Sequence, residues 1–195
     1  MSARLPAQER RDQIIDVALA VFAKQGFYGA SMNDVADAAG VTKPVLYQHF
    51  GSKRELYLAL LEDVGARLIT AISKAASESA NGKAQTEDGF LAYFRWVHDS
   101  RDAFSLLFGG AARRDEEFAE AVRRVEDASA EAIAPLIAAN VSAEQQRTIA
   151  HALVGMAEGV ARRLVADEHT FDPEATARWV SDLAWAGLRA LGRER

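Results

Sequence analysis

The sequence predicts an all-α fold: an N-terminal three-helix arrangement built around a helix-turn-helix, followed by a larger helical bundle. Three observations carry this expectation. Apolar residues recur at helical spacing along the whole chain. Caps and stops divide that pattern at regular intervals. No strand-like alternation bounded by turns occurs anywhere, and a composition rich in Ala with only four Pro favours helix over strand.

Each element follows in order. Ile14, Ile15, Ala18, Leu19 and Phe22 form an amphipathic stripe between Asp12 and Lys24, with Gly26 as its stop. Ser31 and Asp34 resemble a capping box for a short helix from Met32 to Ala39, ended by Gly40. Thr42 is expected to cap the next, Lys43 to about His49. Pro44 sits in its first turn, where a missing N–H costs little. After Gly51, Ser52 to Glu55 reads as a full capping box opening a long helix to about Ser77. The polar run SESANGKAQ, residues 77–85, is expected to be a loop. Thr86 is the expected cap of a helix to about Ser100, and a shorter one reaches Phe108. Gly109 and Gly110 break the chain, and a charged helix from about Asp115 ends or kinks at Pro135. Ser142 to Gln145 is another capping box, for a helix to about Ala166. Asp172 and Pro173 open the last helix, to about Leu191.

With 195 residues, 49% hydrophobic and 26% charged, the chain excludes wholesale disorder. The absence of Cys excludes disulfides, a thiolate nucleophile and zinc thiolate sites, and it fits a reducing compartment. His49, His98, His151 and His169 never stand three or four residues apart, so no helical metal pair exists. There is no phosphate-cradling Gly motif and no nucleophile elbow. An enzyme is therefore disfavoured, and no catalytic residue, metal or cofactor is expected. The N-terminus shows no apolar signal core, and no apolar run approaches the ~18 residues of a membrane span. A soluble cytoplasmic protein without a membrane partner is expected.

The formal charge of −5 argues mildly against a protein that simply coats nucleic acid. Its distribution changes the argument. Residues 1–60 hold seven Lys or Arg against six Asp or Glu, a net of +1, and the remaining sixteen against twenty-two give −6. A local nucleic-acid face near the N-terminus remains open.

That face is most legible in SMNDVADAAGVTKPVLYQHFGSK, residues 31–53, where two short helices flank a tight turn at Gly40 and Val41. Val35 and Ala38 are expected to pack through Leu19 and Phe22, with Val41, Val45, Leu46 and Phe50 closing the small core. The second helix then points Thr42, Lys43, Pro44, Tyr47 and Gln48 outward. Short polar, cationic and aromatic groups near a helix N-terminus suit a major groove. Plainer readings stand beside this one. Phe50 and Tyr47 are candidates for core aromatics, His49 for a helix-end residue without a partner, and Lys53 for a solvated cation.

At these residues the chain resembles the TetR family of bacterial transcriptional regulators. The likeness lies in the N-terminal amphipathic helix, the G-F-Y-G-A-S link and the run V-A-D-A-A-G-V-T-K-P-V-L-Y-Q-H-F-G-S-K-R-E-L, over about residues 10–60. It implies a DNA-binding domain at 1–55 and a ligand-binding and dimerisation domain at 56–195. It also implies roles: base reading by Thr42, Lys43, Pro44 and Gln48, and phosphate contacts by Tyr47, His49, Lys53 and Ser31. Pro44 departs from the Gly or small residue often found there and offers only apolar contact, for example to a thymine methyl.

Residues 86–108 are dense in aromatic side chains on two helical faces, as in a helix that is buried or lines a cavity. The resemblance implies an effector pocket lined by some of Phe90, Phe94, Phe104, Leu107, Phe108, Phe118 and Val122, against the plainer reading of core packing. Arg95, His98 or Arg101 is the expected holder of a polar head on an otherwise apolar or aromatic effector. Further on, Ile149, Leu153, Met156, Val160 and Leu164 make one stripe, and Ala150, Val154, Ala157, Ala161 and Val165 the adjoining one. Together they span about 180° at 100° per residue, more than one domain needs. Leu153, Val154, Ala157 and Ala161, with Trp179, Leu183 and Ala186 of the last helix, are the expected homodimer interface, against a wholly internal bundle.

The chain is thus expected to be a sequence-specific, ligand-responsive homodimeric repressor, released from double-stranded operator DNA by a small effector. A DNA-binding protein without an effector is the alternative that shares the same N-terminal domain.

Overall fold

The computed structural model describes residues 6–137, 141–166 and 170–191. Among these, every regular element is helical: α1 (Ala7–Gly29), α2 (Met32–Ala38), α3 (Lys43–His49), α4 (Lys53–Ser77), α5 (Gly82–Asp99), α6 (Arg101–Phe108), α7 (Gly110–Arg114), α8 (Glu116–Ile133), α9 (Ala143–Ala166) and α10 (Pro173–Leu191), with a 3₁₀ turn at Ala134–Leu136. The all-α expectation holds. His169 lies outside the described residues.

The caps explain where the helices start. Ser31 and Asp34 form the reciprocal capping box, and so do Ser142 and Gln145. Asp172 Oδ1 accepts from the N–H groups of Glu174 and Ala175 at 2.9 and 3.1 Å. At α4 the box is shifted. Ser52 Oγ accepts from Glu55 N–H at 3.0 Å, but the Glu55 carboxylate reaches one residue further back, to Gly51 N–H at 2.8 Å.

Three local expectations are corrected. The helix assigned to Thr86 as its cap starts five residues earlier, because Asn81 accepts from Lys83 and Ala84 N–H and captures the N-terminus; Thr86 Oγ1 then donates to Gly82 O inside the helix. Thr42 precedes α3 without a side-chain cap bond. The two glycines at 109 and 110 do not lead straight into the charged helix. The short α7 intervenes, and Asp115 then caps α8 through Glu117 and Phe118 N–H. Pro135 ends α8 as expected, within the 3₁₀ turn.

The helices group into two compact units. One takes the chain up to Val64 together with Asp102–Val122; the other takes Gly65–Arg101 and the chain from Arg123 onward. Residues of α4 and α8 belong to both.

In the first unit, α1 buries Ile14, Ile15, Ala18 and Phe22, and α2 buries Met32, Val35 and Ala36. Ala38, expected in this core, is exposed, and Leu19 is half-buried. The helical period explains this: Met32, Val35, Ala36 and Ala39 share one face, and Ala38 falls off it. An aromatic knot fastens α1 to α4 and α8. Tyr57 meets Phe22, Phe27 and Phe118 at ring distances of 5.1, 4.9 and 4.7 Å. Burial pushes the Tyr57 hydroxyl up to about 12.

In the second unit α5 runs along α10, tied at one end by Arg95 to Glu174 at 2.8 Å. Phe90, Tyr93, Phe94 and Val97 supply the buried side of α5. Ala130, Ala134, Ile137 and Ala150 form a core cluster, against which Ile149, Leu153, Val154 and Leu188 pack. Elsewhere in this unit α4 and α8 come very close. A Cβ on Gly65 would stand 2.4 Å from Val125 Cγ2, so only glycine fits there.

Candidate nucleic-acid interface

The geometry of the helix pair begins at Gly40, whose φ of 64° is a left-handed conformation that side-chain-bearing residues rarely adopt. There Val41 N–H reaches back to Ala36 O at 3.0 Å and Gly40 N–H to Asp37 O at 3.2 Å. These are the two bonds of a Schellman motif; they close α2 and set the direction in which α3 departs. Leu46 and Phe50 are wholly buried and anchor α3 from below. Burying Leu46 stabilises this seat by about 1.5–3 kcal/mol.

On the opposite side stand Thr42, Lys43, Pro44, Tyr47 and Gln48, all exposed, as the spacing predicted. Lys43 Nζ lies 5.9 Å from the Tyr47 ring centre. The Thr42 hydroxyl makes no cap bond. The core-aromatic reading therefore holds for Phe50 and fails for Tyr47, which is 42% exposed. His49 is half-buried at the last turn.

The two expected phosphate anchors beside α3 are differently engaged. Ser31 donates its N–H and its hydroxyl to Asp34 Oδ2 at 2.8 and 2.7 Å, so a carboxylate of the chain already occupies that helix start. The hydroxyl bond holds the Asp34 carboxyl below the usual carboxylate range. Lys53 Nζ donates to Phe27 O at 2.7 Å and Ala30 O at 2.8 Å, and lies 4.6 Å from the Phe27 ring centre. It is neither a solvated cation nor a free one: it ties the end of α1 to the start of α4, with one of its three donors left over. Arg54 is spent elsewhere. It bonds Asp115 at 2.6 Å and Glu117, and covers the Phe118 ring. That pairing raises the Arg54 pKa and lowers that of Asp115.

The candidate effector lining is divided between the units. Phe90 and Phe94 belong to the second, stacked 6.4 Å apart, with Tyr93 edge-on to Phe94 at 5.3 Å. Phe104, Leu107, Phe108, Phe118 and Val122 belong to the first, where Phe118 is part of the aromatic knot. All seven are buried. The expected polar head group is corrected. Arg95 pairs with Glu174 at the surface, and His98 is exposed beside Asp99 and edge-on to Phe171. Arg101 lies over the same ring. The polar side chains inside the second unit are others: Tyr93, Glu158, Ser129, Thr176 and Ser181 are buried. Tyr93 was visible in the sequence as an aromatic off the Phe90–Phe94 face. Glu158 was visible as a carboxylate on an apolar stripe, one turn before its partner Arg162.

Of the expected dimer residues, Trp179 and Leu183 are 71% and 68% exposed, and Ala186 is exposed beside them. Leu153 and Val154 are half-buried against their own core cluster. Ala157 and Ala161 are buried within the single chain, because α9 turns that face inward. Among the described residues no three His, Asp or Glu gather as a metal site, and no helix is long and apolar enough to cross a membrane.

A glycine-turned helix pair with an exposed polar, aromatic and cationic face defines a helix-turn-helix DNA-binding protein. Residues 14–60 match the family "Bacterial regulatory proteins, tetR family", and residues 83–187 match a "Tetracyclin repressor-like, C-terminal domain". The chain belongs to the TetR family of bacterial transcriptional regulators, a family of regulators and not of enzymes. It is 32% identical over 187 residues to the HTH-type transcriptional activator FasR of Mycolicibacterium smegmatis, covering 95% of this chain and 85% of that one. Among solved structures, a TetR-like regulator from Rhodococcus sp. RHA1 is similar at 31% identity and a TM-score of 0.73, over 95% of this chain and 99% of that one. The regulator FadR of Bacillus subtilis, solved in complex with stearoyl-CoA, shares the fold at a TM-score of 0.76 and 16% identity, over 90% and 98% of the two chains.

Proposed function

We propose that this DNA-binding regulator acts in the cytoplasm as a homodimeric repressor that a small apolar or aromatic effector releases from its operator. In this reading residues 1–55 hold the DNA and residues 56–195 bind the effector and the second subunit. The observation that carries it is the exposed row Thr42, Lys43, Pro44, Tyr47 and Gln48, standing on the buried Leu46 and Phe50. Thr42, Lys43, Pro44 and Gln48 read bases, and Tyr47, His49 and the remaining donor of Lys53 take phosphates. Ser31 leaves the contact set, since Asp34 holds its hydroxyl and N–H.

Two features support the rest. Trp179, Leu183 and Ala186 leave an uncovered apolar face on α10, which a second copy would bury. The stacked Phe90 and Phe94 offer an apolar wall, and the FadR structure in complex with stearoyl-CoA supports an effector with an apolar body. The switch is two-state: the effector prefers the form that does not bind DNA. The coupling element is α4, which starts beside α3 and supplies residues to both units.

Fluorescence anisotropy with DNA from upstream of the chain's own gene tests this. Lys43 and Lys53 from two subunits give a slope of log K against log salt of about −4. Gln48→Ala weakens the operator by about 10–100-fold and leaves non-specific DNA unchanged. Stearoyl-CoA serves as a long-chain probe, and release of the DNA by it would support an effector with an apolar body. Equal loss on all sequences with Gln48→Ala would refute the base-reading role. In a reporter strain, deletion of the gene raises expression for a repressor; a fall would make the protein an activator, as its relative FasR is named.

A further inference from the structure

Inside the second unit, three helices bring polar groups together where the surrounding side chains are apolar. Tyr93 on α5 is 6% exposed, with Phe94 against its ring. Its hydroxyl is buried and has no hydrogen-bond partner. A buried hydroxyl left so has given up its hydrogen bonds to water and gained none in return, which marks it as an atom that a bound polar group would satisfy. On α9, Glu158 is 8% exposed and pairs with Arg162 one turn on. On α8, Glu126 is half-buried, and Arg162 and Glu126 are the two charges that act on the Tyr93 hydroxyl. Desolvation raises the Glu126 pKa, so that carboxylate is held at a cost. The other charges near Glu126, on Arg123, Asp127 and His151, are exposed and screened by water.

We propose that Tyr93, Glu126, Glu158 and Arg162 form the polar end of the effector site, and that it takes a neutral or cationic hydrogen-bonding group (an alcohol, phenol or amine) on an apolar body. The inference rests on the effector reading above and narrows it. The Arg162 guanidinium is already paired with Glu158, so an arriving anion meets a cation that is taken. An anion arriving there would have to displace Glu158 from Arg162 and sit beside Glu126. A hydroxyl or ammonium instead donates to a carboxylate and satisfies the Tyr93 hydroxyl. Phe90 and Phe94 receive the apolar body.

The test uses the full chain and three probes of equal chain length, 1-octanol, octylamine and octanoate, below their aggregation limits. Binding is measured by isothermal titration and thermal shift, on wild type, Tyr93→Phe and Glu158→Gln. Tyr93→Phe removes only an unpartnered oxygen, so the variant folds and melts no lower than wild type. The expected result is binding of octanol and octylamine, at least tenfold tighter than octanoate. Tyr93→Phe weakens octanol by about tenfold, and Glu158→Gln weakens octylamine more than octanol. Octanoate binding best, or equal binding by wild type and Tyr93→Phe, overturns the proposal. Anisotropy on operator DNA, run in parallel, separates it from the broader reading. Release by stearoyl-CoA with no binding of any octyl probe sinks the polar end and spares the effector role. Octanol binding lost in Tyr93→Phe, with no probe releasing DNA, supports the site and sinks the effector role.

Discussion

The surroundings of α3 in the first unit and those of Tyr93 in the second treat their polar side chains in opposite ways. Around α2 and α3 the polar groups that are not at the outer face are bonded: Ser31 to Asp34, Lys53 to two carbonyls, Arg54 to two carboxylates. The second unit leaves the Tyr93 hydroxyl buried and unsatisfied, and keeps the buried Glu158 carboxylate paired with Arg162 one turn along α9. It also places Gly65 against Val125 with no room for a methyl group. A rigid platform that presents a fixed row of groups gains from full satisfaction. A chamber that must accept a guest gains from polar atoms held in reserve.

The largest effect that sharpens this contrast is Phe94→Ala. If Phe94 is plain core, the loss is about 3–5 kcal/mol. As a pocket wall it loses less stability and more effector response, the expected outcome here, read from thermal melts beside DNA release. Gly65→Ala comes next. Helix propensity alone favours Ala by ~1 kcal/mol, but the overlap with Val125 reverses the sign, and a net loss of about 1–3 kcal/mol is expected in chemical denaturation. A gain in stability would show that α8 yields at this crossing. Lys53→Met tests the platform. Losing two charge-assisted bonds to carbonyls costs about 1–3 kcal/mol, so the melting temperature falls along with DNA affinity. A pure phosphate contact would lower the salt slope and leave the melt unchanged.

The smallest effect is set by pH. Asp34 has a folded pKa below its unfolded value, so its contribution is complete above the unfolded value of about 3.9 and is lost as pH falls through the folded one. Asp34→Asn is therefore expected to differ from wild type at pH 7, with a gap that narrows as pH falls below the unfolded value, followed by urea denaturation. A gap that stays constant down to full acid unfolding would assign the role of Asp34 to geometry and not to charge.

Much of the first unit was legible because its signals are local. Gly40 with Ser31 and Asp34 specifies a turn and a cap within ten residues, and Leu46 and Phe50 stand at helical spacing below the outward row. The fate of Lys53 was not legible, since its partners lie 26 and 23 residues away, at Phe27 and Ala30. Asn81 displaced Thr86 as a cap because both are capping types, and only the position of α5 decides which N–H groups are free. In the second unit, amphipathic stripes named the apolar residues but not their partners. The doubled stripe on α9 suggests a surplus for a second subunit, yet Ala157 and Ala161 are consumed inside the chain. The uncovered apolar side chains came from α10, at Trp179 and Leu183. Small residues at a crossing and small residues at an interface look alike in one dimension.

The crossing at Gly65 also bears on how this protein can change over generations. Because a Cβ there meets both Cγ atoms and the Cβ of Val125, positions 65 and 125 cannot vary independently. Enlarging the first requires shrinking the second in the same lineage. A Gly65→Ala chain is expected to be rescued by Val125→Ala more than the separate effects would sum to. Among descendants of this sequence the pair would be inherited as one linked character, and a graft of one helix without the other would fail at that point.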